Sequence, residues 1–532
     1  MKMKSLVLAI SASTLLYGCG GSDSNNDGTA GGGDTGGENS LSFSSDQLSS
    51  EWYTQAEAKV DAAAQREVVN ATGAAKNVIL FVGDGMGIST VTAARILAGQ
   101  MQGLDGEEYQ LSFEKMPFTG LVKTYNTNQQ TPDSAGTMTA MMSGVKTKAG
   151  VLGVSEEVVR ADCASSQGKE LVTALELAED MGKSTGIIST ARITHATPAA
   201  TYAKSPERNW ESDDGLTAEA ATSGCKDIAD QLVSFDVGDG IDVVMGGGRR
   251  HFIPNADGGK RTDGRDLTAE WKTAHPSGSY VETGAELGAV DAATVGQVLG
   301  LFTSSHMSYD ADRTANAKDE PSLTEMTEKS IDVLSRNEDG YFLMVESGRI
   351  DHGHHAGSAY NALTDAVEFS NAVQAAMDKT NAEDTLIIVT ADHSHVFTIA
   401  GYPTRGNPIL GKVVTNDGSG EPESAPTLAS DNMPYTTLGY TNGLGFADLG
   451  NETDADAVYG GVPDVGRKDL TAVDTEASGY HQEALVPLGS ETHAGEDVGV
   501  WARGPGAHLL TGTNEQSLIF HVMAHAGGLL PE

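Results

Sequence analysis

The chain is 532 residues long and carries 34 basic against 74 acidic residues, a formal charge of −40. A polyanion such as DNA is repelled over most of such a surface, so no nucleic-acid partner is expected. A small anion stays admissible where bound cations reverse the local field, and the acidic excess suits a surface in salty water. The length permits one enlarged domain or two smaller ones.

The N-terminus reads as an export signal. Lys2 and Lys4 precede an apolar run from Leu6 to Leu16, too short to span a bilayer. The run ends in Leu16-Tyr17-Gly18-Cys19, which resembles a bacterial lipoprotein box with lipid on Cys19; plain secretion with cleavage nearby is the rival reading. The expectation is a signal peptide over 1–18, a flexible tether over 19–45 rich in Gly, Ser, Asp, Asn and Thr, and a catalytic domain over 46–532. The product is then exported, periplasmic or at the cell surface, and meets a membrane only through that anchor. Cys163 and Cys225 are the other two cysteines; in an exported chain without a CxxC spacing, a disulfide is favoured over a metal site.

Further along, strand and helix patterns alternate. Residues 77–82 form an apolar run that ends in Gly83-Asp84-Gly85-Met86-Gly87. The peptide from Thr131 to Ala140 places Ser134 where a turn becomes a helix, after Pro132 and the capping residue Asp133. A hydroxyl there faces free backbone N–H groups and the positive end of the helix dipole, which suits a phosphate. A helix over 171–181 precedes strands over 185–190 and 242–245, the latter closed by Gly246-Gly247-Gly248. Ser322 and Glu325 have capping-box form and open a helix; a strand over 341–345 runs up to Glu346. Ala359, Leu363, Ala366, Val367, Ser370, Val373 and Met377 mark one helix face, and a strand over 386–390 leads to Asp392. Such alternation predicts an α/β fold, a mostly parallel sheet with helices on both faces. Ligands of these sheets bind beyond the strand carboxyl ends, so Asp84, Glu346 and Asp392 should converge on one edge. Residues 253–298 and 396–482 break the rhythm and read as insertions, the second large enough for an irregular lobe, lid or partner surface. There is no internal repeat.

Asp351-His352-Gly353-His354-His355, Asp392-His393-Ser394-His395 and Glu491-Thr492-His493 supply imidazole beside carboxylate, the donor mix of a zinc site, while carboxylate, hydroxyl and water suit magnesium. A lone histidine of this kind is usually an ordinary surface or hydrogen-bonded residue; three such clusters, each at or just after an expected strand end, are not. With the Gly83–Gly87 turn, the serine peptide and Thr194-His195-Ala196-Thr197-Pro198-Ala199, they resemble the alkaline phosphatase family in its order of motifs, from about Lys76 to about His508.

The resemblance implies one zinc on Asp351, His355 and His493, a second on Asp84, Asp392 and His393, and a magnesium sharing Asp84 with Thr197 and Glu346. It implies Ser134 as a nucleophile that becomes phosphoserine, Arg208 as the phosphate clamp, broad phosphomonoester substrates and a homodimer. His195 and His352 stand where some bacterial members carry Asp and Lys, and read as tuners around the third cation, which could then be zinc. His354 and His395 match no assigned position and are expected to be structural or to hydrogen-bond around the ligands. The resemblance also pairs Cys163 with Cys225. A phosphodiesterase, phosphomutase or sulfatase of the same superfamily is the nearest rival, but Ser134-Ala135-Gly136-Thr137 lacks the sulfatase pattern. A non-catalytic, cation-binding acidic protein is the rival from another class.

Overall fold

The computed structural model describes residues 49–51, 53–55, 74–444 and 467–530. The expected signal peptide, Cys19 and the tether lie outside these described residues. The chain divides into two units, Met1–Glu67 and Val68–Glu532. In the first, the Thr54 N–H donates to the Ser50 carbonyl at 3.0 Å, a bond of helical spacing.

The second unit is built on a ten-stranded sheet. Along the chain its strands are β1 (Asn77–Gly83), β2 (Phe118–Lys123), β3 (Ser184–Arg192), β4 (Val243–Gly247), β5 (Ser279–Val281), β6 (Val298–Leu301), β7 (Tyr341–Ser347), β8 (Thr385–Ala391), β9 (Val498–Arg503) and β10 (Gly512–Glu515). Their order is β10-β2-β9-β8-β1-β7-β3-β4-β6-β5. Every pairing is parallel except those of β9, which runs against both β2 and β8. This is the expected α/β architecture.

β1 lies near the centre, and Val78, Ile79, Leu80, Phe81 and Val82 are all buried. A continuous apolar run is what a strand covered on both faces requires. Val78 and Phe81 are an odd number of residues apart, so their side chains leave by opposite faces. Phe81 meets Phe369 of the helix Ala359–Lys379 at 5.8 Å between ring centroids. Val78 lies against Gly527 of the helix Leu518–Gly527. Helices therefore cover both faces. Ser322 caps Leu323–Leu334 in the expected box with Glu325. Thr173 and Glu176 form another, so that helix begins at Ala174 and not three residues earlier.

The stretch 253–298, read as an insertion on the α/β body, carries regular elements that its sequence did not signal. The stretch contains the helices Leu267–Ala274 and Gly284–Ala289, and its strand β5 pairs with β6 to extend the main sheet by an edge. A three-residue edge strand is too short to show a period in sequence. The stretch 396–482 is not wholly irregular either. Its strands Phe397–Ile399 and Leu438–Gly443 join Ala484–Pro487 in a separate three-stranded sheet. The expected disulfide is present: Cys163 and Cys225 are bonded across 62 residues and pack against Trp210. Among the described residues, no helix is long and apolar enough to cross a membrane.

Candidate active site

Strand register brings the acidic residues together. Gly83 of β1 pairs with Ser347 of β7 and Ala391 of β8, so Asp84 and Asp392 step off the sheet side by side. Glu346 lies one residue lower, opposite Val82 on one side and Ser189 of β3 on the other. Ser189 Oγ donates to Glu346 Oε2. The turn after β1 closes because Gly85 adopts φ +69°; a Cβ there would stand 2.3 Å from His395 Nε2. The Gly85 N–H donates to Asp392 Oδ1 at 2.9 Å.

Asp351 and His355 are one helical turn apart on the short helix Arg349–His355, so they share a face. His493 joins them from the far side: its Nε2 lies 3.3 Å from Asp351 Oδ1 and 3.0 Å from His355 Nε2. His355 Nε2 is 3.3 Å from the same oxygen. Each imidazole has its other nitrogen against a carbonyl, His493 Nδ1 on Pro132 at 2.8 Å and His355 Nδ1 on Glu491 at 2.7 Å. A carbonyl only accepts, so each Nδ1 carries a proton and Nε2 is the nitrogen turned to the cluster. The two Nε2 atoms and Asp351 Oδ1, which also takes a bond from His395, converge at spacings of 3.0–3.3 Å that suit a shared cation.

The second group has similar spacing. His393 Nε2 lies 3.4 Å from Asp84 Oδ1 and 3.2 Å from Asp392 Oδ2. Ligands about 2.0–2.1 Å from a tetrahedral zinc are about 3.3–3.4 Å apart, close to the spacing in both groups. Both Asp84 oxygens, Asp392 Oδ2, Glu346 Oε1 and Thr197 Oγ1 are buried without a hydrogen-bond partner among the described residues. So many orphaned oxygens are expected only where something else satisfies them. Burial, then the charges of Asp392, Asp351 and Glu346, raises the Asp84 carboxyl well above its ordinary range. Burial, reinforced by Asp392 and opposed by Ser189, pushes Glu346 up to about 7. Divalent cations among these groups would reverse that penalty.

Ser134 opens the helix Ser134–Ser143, and its Oγ is 3.1 Å from His393 Nε2. Asp133 caps that helix, its Oδ1 accepting the Gly136 N–H at 3.1 Å. Its Oδ2 accepts the Gly150 N–H at 2.9 Å and Arg208 Nη1–H at 3.1 Å. Arg208 is thereby tied to the serine turn, and its Nη2–H donates to His195 Nε2 at 3.3 Å. His195 immediately precedes the helix Ala196–Ala199 that carries Thr197. His352 accepts Arg349 Nη1–H on Nδ1 at 2.9 Å.

Some members of the site carry no motif. The His306 ring packs edge-on, its centroid 4.0 Å from that of His352 and 5.2 Å from that of His195, and Arg192 donates to it. Arg192 itself grips Glu211 with two bonds of 2.8 Å. Only the fold brings these residues to the cluster. His395 links Asp351 Oδ1 at 2.8 Å to Glu491 Oε2 at 2.6 Å. Burial alone would lower its pKa, but the Glu491 and Asp351 carboxylates raise it to about 10. Ser189 was within reach of sequence reasoning, because strand pairing sets it opposite Glu346.

The fold and this edge define an α/β protein with candidate cation-binding groups beside a serine at a capped helix N-terminus. The alkaline phosphatase family model matches residues 75–529. The chain is 45% identical over 495 residues to the tissue-nonspecific alkaline phosphatase isozyme of Gallus gallus, covering 90% of this chain and 89% of that protein. Against the corresponding isozyme of Homo sapiens it is 45% identical over 490 residues, 89% and 88% of the two chains. The crystal structure of Thermus thermophilus alkaline phosphatase shares the fold at a TM-score of 0.60 with 24% identity, over 88% of this chain and 95% of that one. The chain belongs to the alkaline phosphatase family, metal-dependent phosphomonoester hydrolases.

Proposed function

We propose that the protein hydrolyses phosphate monoesters of broad specificity through a phosphoserine on Ser134 and releases inorganic phosphate. Asp351, His355 and His493 would hold one zinc; Asp84, Asp392 and His393 would hold a second. Asp84, Thr197 and Glu346 would hold magnesium, with His195 and His352 as tuners around it and zinc as the alternative ion that His195 would favour. When bound, these cations acidify the serine hydroxyl and a water and neutralise charge on the transferring phosphoryl group and its leaving oxygen. Ser134 Oγ attacks phosphorus, the P–O bond to the alcohol breaks, and the alcohol departs with a proton. Water then attacks the phosphoserine and returns the hydroxyl. Arg208, planar and held by Asp133, grips two phosphoryl oxygens, and the helix N-terminus favours their charge. Contact with the phosphoryl group alone explains breadth: little else of the substrate need be recognised.

The observation that carries this reading is Ser134 Oγ at 3.1 Å from His393 Nε2, at a capped helix N-terminus to which Arg208 is tied. Ser134→Ala should lose p-nitrophenyl phosphate turnover by several orders of magnitude and keep its zinc. Undiminished turnover would refute the covalent route, and preference for the bis-ester would refute monoester hydrolysis. We further infer export to the periplasm or cell surface, with a lipid at Cys19 and a catalytic domain over 46–532. Support comes from the N-terminal sequence and from the disulfide, which needs an oxidising compartment. Fatty-acid labelling lost in Cys19→Ala tests the anchor. A homodimer, with the 396–482 lobe as a candidate interface, is tested by sedimentation.

A further inference from the structure

Asp351 and His355 are set relative to each other by one helix, whereas His493 comes from a separate segment. The strand Leu438–Gly443 of the small sheet touches both segments. Tyr440 and Asn442 are two apart, so their side chains leave by the same face. The Tyr440 hydroxyl lies 2.8 Å from His354 Nδ1, and His354 Nε2 lies 2.9 Å from Thr90 Oγ1. The His354 ring packs 4.8 Å from His395, which bonds Asp351. Asn442 makes a two-bond pair with Thr492: its Nδ2–H donates to Thr492 Oγ1 at 2.9 Å, and its Oδ1 accepts the Thr492 N–H at 3.0 Å. Thr492 immediately precedes His493. Gly443 permits the approach, for at φ +136° its Cβ would stand 3.2 Å from Glu491 Cβ.

We propose that this strand is the brace of the first cation site, with Tyr440 and Asn442 as positioning residues that hold the Asp351–His355 helix and the His493 segment in convergence. The inference rests on the reading of Asp351, His355 and His493 as zinc ligands. His493 has other supports, its bond to Pro132 and its pairing with His395, so the brace tunes affinity and does not create it. Outer contacts of this kind are typically worth about 10–100-fold in metal affinity.

The test is zinc competition against a chromogenic chelator, using the full holoenzyme and the variants Tyr440→Phe, Asn442→Ala, His493→Ala and Thr441→Ala. Tyr440→Phe keeps its ring against Phe397, 5.2 Å away, and should fold even if Asn442→Ala does not. Thr441 is exposed on the other face of the strand and serves as control. Tyr440→Phe and Asn442→Ala should release one zinc about 10–100-fold more readily and keep the other, with kcat restored by excess zinc. Thr441→Ala should match wild type. Wild-type zinc affinity in both brace variants, alongside a weakened His493→Ala, overturns the brace alone. A His493→Ala variant that holds as much zinc as wild type refutes the metal reading, and the brace with it.

Discussion

Asp133 touches both the serine helix and Arg208, so substitutions at these two positions, alone and together, separate its roles. Its carboxylate accepts from Gly136 N–H at 3.1 Å, Gly150 N–H at 2.9 Å and Arg208 Nη1–H at 3.1 Å. With Arg208 gripping the phosphoryl group as proposed, Arg208→Ala should remove charge-assisted contacts worth about 1.5–3 kcal/mol, or about 10–160-fold in kcat/KM. Asp133→Ala leaves that guanidinium in place but held mainly through His195, and should cost about tenfold in kcat/KM. It also removes the helix cap, which costs about 1 kcal/mol of stability. If Asp133 acts on catalysis through Arg208, the double variant should fall within about twofold of Arg208→Ala alone. Its stability should still show the missing cap. The assay is kcat and KM on p-nitrophenyl phosphate with inhibition by inorganic phosphate, alongside urea unfolding. Losses in kcat/KM that multiply in the double variant would refute the argument, because Asp133 would then act independently of Arg208.

Other tests address the scaffold. Burial, opposed by the Thr185 hydrogen bond and helped by Asp242 and Asp239, raises Glu179 from 4.5 to about 8. The folded protein thus keeps a proton there that the unfolded chain gives up, so stability is lost as pH rises from about 4.5 through about 8. Glu179→Gln should therefore gain on wild type across that window, by on the order of 4 kcal/mol at its alkaline end, in denaturant unfolding. A gap that does not change with pH contradicts this. Replacing Cys163 and Cys225 with Ala opens a loop of 62 residues and should cost about 4 kcal/mol in the same assay. Phe369→Ala, which empties the contact with Phe81, should cost about 3–5 kcal/mol, and a loss under 1 kcal/mol would mean that the surrounding core closes the space.

The parallel core was legible because a strand buried on both faces has to be an unbroken apolar run, and β1, β7 and β8 each have an acidic side chain within one residue of their carboxyl end. That rule alone places Asp84, Glu346 and Asp392 on one edge. It does not reach His493. That residue precedes β9, which alone runs antiparallel to its neighbours, so its starting end is the one at the site. β2 and β10 gave no clear signal: both are short and half exposed, and their alternation is weak. His306 and Tyr440 were illegible for another reason. Each acts on residues far away in sequence, and a lone His or Tyr has no local pattern that names its partner.

The bond between Cys163 and Cys225 encloses Thr197 and Arg208, whereas Asp84, Glu346 and Asp392 all lie outside the loop that it closes. Trp210, two residues after Arg208, packs directly on it. The strands that carry the three carboxylates can therefore assemble in a chain whose thiols are still reduced, while the arginine segment is held only by noncovalent contacts. With both thiols reduced, the segment that carries Arg208 would lose its covalent restraint while the three carboxylate-bearing strands keep their pairing in the sheet.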